Sequence, residues 1–215
     1  HETFEYVYKQ IKSDVHLASI CGGTDLVSCF VLGNPIMPVY SGEIQCAGLG
    51  MDVDIYDENS NSLIGEKGEL VCKTPFPSKP LYFWNDPDNK KYSKAYFEKY
   101  PNVWHHGDYC KKTSNNGYII YGRSDATLNS RGVRIGTAEL YRVVENIDVI
   151  NECVAVEHQL SNDTEIILFV KMLDKITFNS YVEKKIKKEI KFHLSPKHIP
   201  YKIFAIKDIP KTKSN

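Results

Sequence analysis

The feature that most limits how this chain can fold is a change of pattern at Ser124-Asp125. From residue 39 up to that point the sequence is a series of short β runs broken by glycine and proline: Ile44-Gln45-Cys46, Met51 to Tyr56, Gly68 to Lys73 and Gly117 to Tyr121. Turn chemistry separates them in Asp57-Glu58-Asn59-Ser60-Asn61 and in Ser114-Asn115-Asn116-Gly117, the second reading as a hairpin. Ahead of these runs, residues 1–14 read as a helix, with Phe4, Val7, Tyr8 and Ile11 at helical spacing. Leu17 to Ile20 read as a short apolar strand, and Tyr92 to Tyr100 as a short helix ending at Pro101.

Beyond the break the order becomes β-α-β-β-α-β. Thr137 is placed to cap a helix in which Leu140, Val143, Val144 and Ile147 share one face. Cys153 to Glu157 and Glu165 to Met172 read as strands, the second nearly all apolar and therefore central. Ser180 with Glu183 reads as a capping box ahead of the stripe Val182, Ile186, Ile190 and Leu194. Pro196 stops that helix, and Ile203 to Ile206 form a last strand. The expectation is a mixed α+β chain in two parts, residues 1–124 as the β-rich end of a larger domain and 125–215 as a small α+β domain.

A chain of 215 residues can bury a sizeable core in either one or two domains. Its 27 basic and 27 acidic side chains cancel, so no global field points to nucleic acid or to an anionic membrane. No apolar run approaches the roughly 20 residues that span a bilayer, and the start is not signal-like. Six cysteines, at 21, 29, 46, 72, 110 and 153, include no CxxC pair. In a core-rich chain of this length they read as reduced thiols of a cytosol-like compartment. No zinc site is expected, since His105 and His106 are adjacent and no cysteine pair has ligand spacing.

Four short motifs carry the chemistry. In Ser19-Ile20-Cys21-Gly22-Gly23-Thr24-Asp25, two glycines admit close backbone approach to a ligand. The Thr24 hydroxyl can bond a phosphate oxygen, and Asp25 can hold a hard cation such as magnesium. Taken alone, the same four residues Gly-Gly-Thr-Asp make an ordinary turn. Gly68-Glu69-Leu70-Val71 followed by Pro80-Leu81-Tyr82-Phe83-Trp84-Asn85 reads as a strand and an aromatic loop. In Val103-Trp104-His105-His106-Gly107-Asp108, the carboxylate can accept both hydroxyls of a ribose, or be a plain β-turn aspartate. His105 and His106 read as turn and surface residues. The fourth run, Gly122 to Tyr141, sets Arg123 and Arg134 around Gly132 in one loop with Asp125. Guanidinium groups bind phosphate and ribose oxygens through directed pairs of hydrogen bonds, so this loop suits a phosphorylated ligand.

With these four motifs in this order, the chain resembles the adenylate-forming acyl-CoA synthetases along essentially its whole length, and the run 122–141 resembles their hinge segment. The resemblance implies a ligase that joins a carboxylic acid to ATP, releasing pyrophosphate, and then passes the acyl group to coenzyme A, releasing AMP. By it, Ser19, Cys21, Gly22, Gly23 and Thr24 would line the adenylate site, with Cys21, Gly22 and Gly23 also forming the acyl pocket. Asp25 would sit near Mg2+, a departure from the glutamate that many relatives carry there. Asp108 would hold the ribose hydroxyls with help from Arg123, and Arg134 would reach the adenylate phosphate. Asp125 would be the hinge of a small mobile domain, with Glu139 supporting the loop from the helix start.

Ser130, Arg131 and Gly132 would flank the coenzyme A thiol. Lys191, on a lysine-rich face that otherwise reads as a solvated helix surface, would meet its 3′-phosphate. The small residues at 21–23 leave room for an acid longer than acetate, and the wording of the last motif is most similar to acetoacetate-activating members. The implied small molecules are thus acetoacetate, ATP, Mg2+ and coenzyme A, with no nucleic-acid or membrane partner, in the cytosol. Another short- or medium-chain acid, or a non-catalytic nucleotide-binding module, are the alternatives.

Both ends read as cut. The family's phosphate loop would lie before His1. Its catalytic lysine would follow the run Pro210-Lys211-Thr212-Lys213-Ser214-Asn215, so none of the residues present is assigned as that lysine, and the 215 residues by themselves are expected to be inactive.

Overall fold

Turn residues cut the first part of the chain into short strands, and the side chains left between the turns decide which faces they bury. The computed structural model describes residues 2–130, 133–159 and 164–211. They fall into two units, His1–Ile120 and Tyr121–Asn215.

In the first unit, α1 (Glu2–Tyr6) runs into a π-helical turn at Val7–Ile11, and the helix stops short of residue 14. Leu17 to Ile20 form no strand, contrary to expectation: Ile20 is exposed, and no described strand pairs with the run. Pairing begins only at β1 (Cys21–Gly23), antiparallel to β2 (Ser28–Leu32), which pairs on its far edge with β3 (Cys46–Ala47). A second sheet has the order β4 (Val53–Tyr56), β5 (Lys67–Cys72), β6 (Trp104–Lys112) and β7 (Tyr118–Arg123). The turn at 57–61 joins β4 to β5, with Asp57 Oδ1 accepting the amides of Asn59 and Asn61. The turn at 114–117 joins β6 to β7.

Between β5 and β6 lies α2 (Lys90–Tyr96), shorter than the expected 92–100 at one end and longer at the other. It starts where the Asp86 carboxylate accepts the amides of Lys91 and Tyr92, satisfying donors that a helix start leaves open. Trp104, 2% exposed, is the centre of the core. Tyr96 stacks on it, while Phe76 and Phe97 meet it edge-on. Such offset and edge-to-face pairs add roughly 0.5–1.5 kcal/mol each beyond their buried area.

The second unit is a ribbon, a three-stranded sheet and two helices. β8 (Leu128–Ser130) pairs antiparallel with β9 (Val133–Ile135), and α3 (Thr137–Val144) follows. The sheet has β11 (Thr164–Met172) at its centre, antiparallel to β10 (Ile150–Gln159) and parallel to β12 (Lys202–Ile206). The parallel return needs a crossover, which α4 (Ser180–His193) provides. Ile166, Leu168 and Val170 alternate onto the buried face of β11, and Leu140, Val144, Ile186 and Ile190 of the helices close the same core. Burying each such side chain contributes about 1.5–3 kcal/mol.

Both expected helix caps move by one residue. Gly136, not Thr137, is the N-cap of α3, and its amide donates to Glu139 Oε1 at 3.4 Å; Thr137 is buried as the first helical residue. Asn179, not Ser180, caps α4, its Oδ1 accepting the amides of Tyr181 and Val182. An asparagine carboxamide fills this role as well as a serine hydroxyl does.

Candidate functional site

In the first unit, close packing against backbone requires glycine at 22, whereas at 23 a side chain would mainly displace the exposed carboxylate of Asp25. A Cβ on Gly22 would lie 2.2 Å from the Ser28 carbonyl oxygen, and one on Gly23 would lie 2.1 Å from Asp25 Oδ1. The β1–β2 hairpin turns through Thr24 to Val27, leaving Thr24 and Asp25 exposed at its tip. Asp25 is held there by Tyr96, whose hydroxyl donates to Oδ2 at 2.7 Å. Ser19 lies half-buried in the irregular segment before β1 and shares no hydrogen bond with the motif among the described residues.

The third motif is carried by β6. Its pairing with β5 shifts register between Glu69 and Val71, where residues 105–109 of β6 bulge against the shorter run of β5. Gly107 sits in that bulge with φ +82°, a conformation that a side chain disfavours. Bulges re-aim side chains. Here the result is that His106 and Asp108 both point inward, 8% and 7% exposed, with His106 Nε2 3.6 Å from Asp108 Oδ2. His106 is therefore no surface residue; the Phe30 ring packs edge-on against it at 4.8 Å. His105 is not a free turn residue either, since its Nε2 lies 3.0 Å from the buried Glu69 Oε2. Lys99 Nζ approaches the other Glu69 oxygen at 2.8 Å, so the second motif's acid is neutralised locally.

The first and third motifs meet. The Cys21 thiol donates to Asp108 Oδ2 at 3.2 Å across 87 residues of sequence. Burial, and after it the neighbouring Cys21 and Asp108, push the Cys110 thiol well above the usual cysteine range, so this neighbour on β6 stays protonated. None of the six cysteines is in a disulfide.

In the second unit, Arg123 is exposed, with Nε 3.4 Å from Asp125 Oδ1 across the 3-10 turn Ser124–Ala126. Arg134, half-buried on β9, turns back onto the same turn. Its Nε donates to Thr127 Oγ1 at 2.9 Å and its Nη2 to the Ser124 carbonyl at 3.2 Å. Gly122, with φ +125°, leads into this turn. Ser130 ends β8, while Arg131 and Gly132 lie outside the described residues. On α4, Lys187 pairs with Glu183 and Lys185 approaches Asp148, but Lys191 is exposed with no ion pair among the described residues. Lys211 pairs with Glu152 at 2.8 Å.

Two participants were not legible as such in the sequence. Tyr96 lies 71 residues from the acid that it bonds, and its role has no local pattern. The inward turn of His106 depends on a bulge, which a search for period-two alternation misses.

No family model matches the chain. Acetoacetyl-coenzyme A synthetase of Rhizobium meliloti (strain 1021) is 51% identical over 99% of this chain and 33% of its own length. Acetoacetyl-CoA synthetase of Xenopus tropicalis is 47% identical over 99% of this chain and 32% of its own length. Among solved structures, acetoacetyl-CoA synthetase from Streptomyces lividans superposes with a TM-score of 0.92 at 38% identity, over 99% of this chain and 32% of that one. By sequence and by fold, the chain is a homologue of the acetoacetyl-CoA synthetases, adenylate-forming enzymes of whose length it spans about a third.

Proposed function

We propose that the protein carrying this chain is an acetoacetate-CoA ligase, which activates acetoacetate with ATP to an acyl-adenylate and transfers the acyl group to coenzyme A in the cytosol. The observation that carries the reading is the contact between Cys21 and Asp108. It joins the glycine-rich motif to the ribose-type aspartate within one unit. The similarity of the whole chain to acetoacetyl-CoA synthetases supplies the substrate.

In this reading Asp108 accepts the ribose hydroxyls, and the backbone of Gly22 and Gly23 approaches the adenylate where no side chain intervenes. Cys21, Gly22 and Gly23 border the acyl group, while Ser19 and Thr24 offer hydroxyls. Arg123 and Arg134 are guanidinium donors for ribose and phosphate oxygens, and charge-assisted bonds of this kind are the strong ones. Asp125 is the hinge of residues 125–215 as a small mobile domain, Ser130, Arg131 and Gly132 border the thiol of coenzyme A, and Lys191 meets its 3′-phosphate. Asp25 fits a magnesium ion bound with the nucleotide: it is exposed and oriented by Tyr96, and magnesium needs only one or two protein carboxylates beside water and phosphate. When bound, that ion neutralises charge on the phosphates.

The test is pyrophosphate release by the natural-length protein with ATP, Mg2+, coenzyme A and a panel of acetoacetate, acetate, propionate and butyrate. Preference for acetoacetate is the expected result. Preference for another acid removes the substrate, and reaction with none removes the ligase.

A further inference from the structure

We infer that Cys21 is a positioning residue for the nucleotide site: its thiol fixes the plane of the Asp108 carboxylate so that the carboxylate can receive both ribose hydroxyls. The inference rests on the reading of Asp108 as the ribose acceptor.

The argument begins with the aspartate. The terminal torsion of an aspartate is broad and roughly two-fold, so a carboxylate on its own does not hold one plane. Receiving two adjacent hydroxyls requires one plane. Asp108 is 7% exposed, so water contributes little to holding it, and a buried carboxylate needs donors from the protein. The Cys21 thiol lies 3.2 Å from Oδ2, nearer than His106 Nε2, which approaches the same oxygen to 3.6 Å. A thiol is a weak donor to a neutral acceptor, but an ionised acceptor strengthens the bond.

The thiol itself is placed by the backbone. Cys21 pairs with Val31 across the β1–β2 hairpin, with a register shift directly after it, before Gly22. Phe30, next to Val31 and fully buried, packs against His106 and ties the hairpin to β6. The donor and the acceptor thus sit on two elements held together by a shared core contact. Cys21 differs in this from an ordinary pocket-lining residue. Its effect on the ligand passes through Asp108, and it depends on a donor hydrogen rather than on side-chain volume.

The experiment compares binding of AMP and of 2′,3′-dideoxy-AMP to the natural-length protein by calorimetry, for the parent sequence, Cys21→Ala and Cys21→Ser, with thermal melting to confirm folding. The parent should bind AMP more tightly than the dideoxy compound. Cys21→Ala should lose about tenfold for AMP and nothing for the dideoxy compound, the scale of one hydrogen bond to a charged group. Cys21→Ser keeps a donor and should restore AMP binding. If Cys21→Ala weakens both ligands equally or neither, or if Cys21→Ser fails to restore binding while it melts like the parent, the positioning role is overturned. If the parent itself does not distinguish the two ligands, the ribose reading of Asp108 fails first and the inference falls with it.

Discussion

The Tyr96 hydroxyl donates to Asp25 Oδ2 at 2.7 Å from a ring that lies flat on Trp104, with centroids 3.7 Å and planes 16° apart. The acid at the hairpin tip is therefore anchored to the core of the first unit through one side chain, and the two contacts of that side chain can be separated by mutation.

Tyr96→Phe keeps the stacked ring and removes the hydroxyl. Because the lost bond is exposed, melting should change little, by no more than about 1 kcal/mol. The concentration of Mg2+ required for half-maximal pyrophosphate release should rise several-fold. Tyr96→Ala removes the ring as well and should cost on the order of 2–4 kcal/mol, a little below the range for fully buried aromatics. A Mg2+ titration of the Phe variant that overlays the parent would show that Asp25 needs no such anchor.

Gly107 holds the bulge that turns Asp108 inward. At φ +82° any Cβ is strained, and Gly107→Ala should cost roughly 1–2 kcal/mol through the left-handed conformation. Because relief of that strain moves Asp108, nucleotide affinity should fall further than stability does. Melting and AMP calorimetry on the same sample compare the two, and an affinity that drops no more than the stability would assign Gly107 to folding alone.

Asp54 gives a pH-dependent test in the first sheet. Burial opposes its charge, but the Ser62 hydroxyl, the Ile55 amide and Lys73 together outweigh burial and hold the carboxyl below its usual value of 3.8. A folded value below the unfolded one means stability that is present above pH 3.8 and lost as the pH falls through the folded value. Asp54→Asn should therefore melt lower than the parent at pH 7, by an amount corresponding to about 1–2 kcal/mol. The gap should close as the pH falls below 3.8. A gap independent of pH would trace the difference to packing.

Legibility in the sequence followed the strength of the periodic pattern. The second unit was more readable because its elements are long and regular: the apolar stripe of α4 and the run of β11 appear in the structure as expected. The caps shift to Gly136 and Asn179, α3 ends at Val144 short of Ile147, β10 runs past the expected 153–157 at both ends, and the β8–β9 ribbon puts two strands where one was expected. The first unit was less so. β2 passes from Ser28 and Cys29 into Phe30, Val31 and Leu32 without alternation, and β6 carries Trp104, two histidines, a glycine and an aspartate through a bulge, so neither stands out by period. Leu17 to Ile20 have strand composition but no described partner, and composition alone does not pair a strand. Within the site, motif residues were visible by type, whereas the contacts of Cys21 with Asp108 and of Tyr96 with Asp25 are long-range, and no spacing encodes them.

Arg134 is where a ligand role and a structural role compete for the same side chain. Its guanidinium clasps the 124–127 turn through Thr127 Oγ1 and the Ser124 carbonyl, and Thr127 Oγ1 also donates to that carbonyl at 2.7 Å. A phosphate-binding role predicts that Arg134→Ala weakens binding of a non-hydrolysable acyl-adenylate analogue by about 10- to 100-fold, the scale of a charge-assisted bond. Melting should shift only modestly, because the clasp is half-exposed. Thr127→Val separates the two roles, since it removes the hydroxyl that the clasp uses and leaves the guanidinium charge in place. Binding retained in Thr127→Val and lost in Arg134→Ala assigns the charge to the ligand. Equal losses in both variants would assign Arg134 to holding the turn, and unaltered binding in Arg134→Ala would remove it from the site.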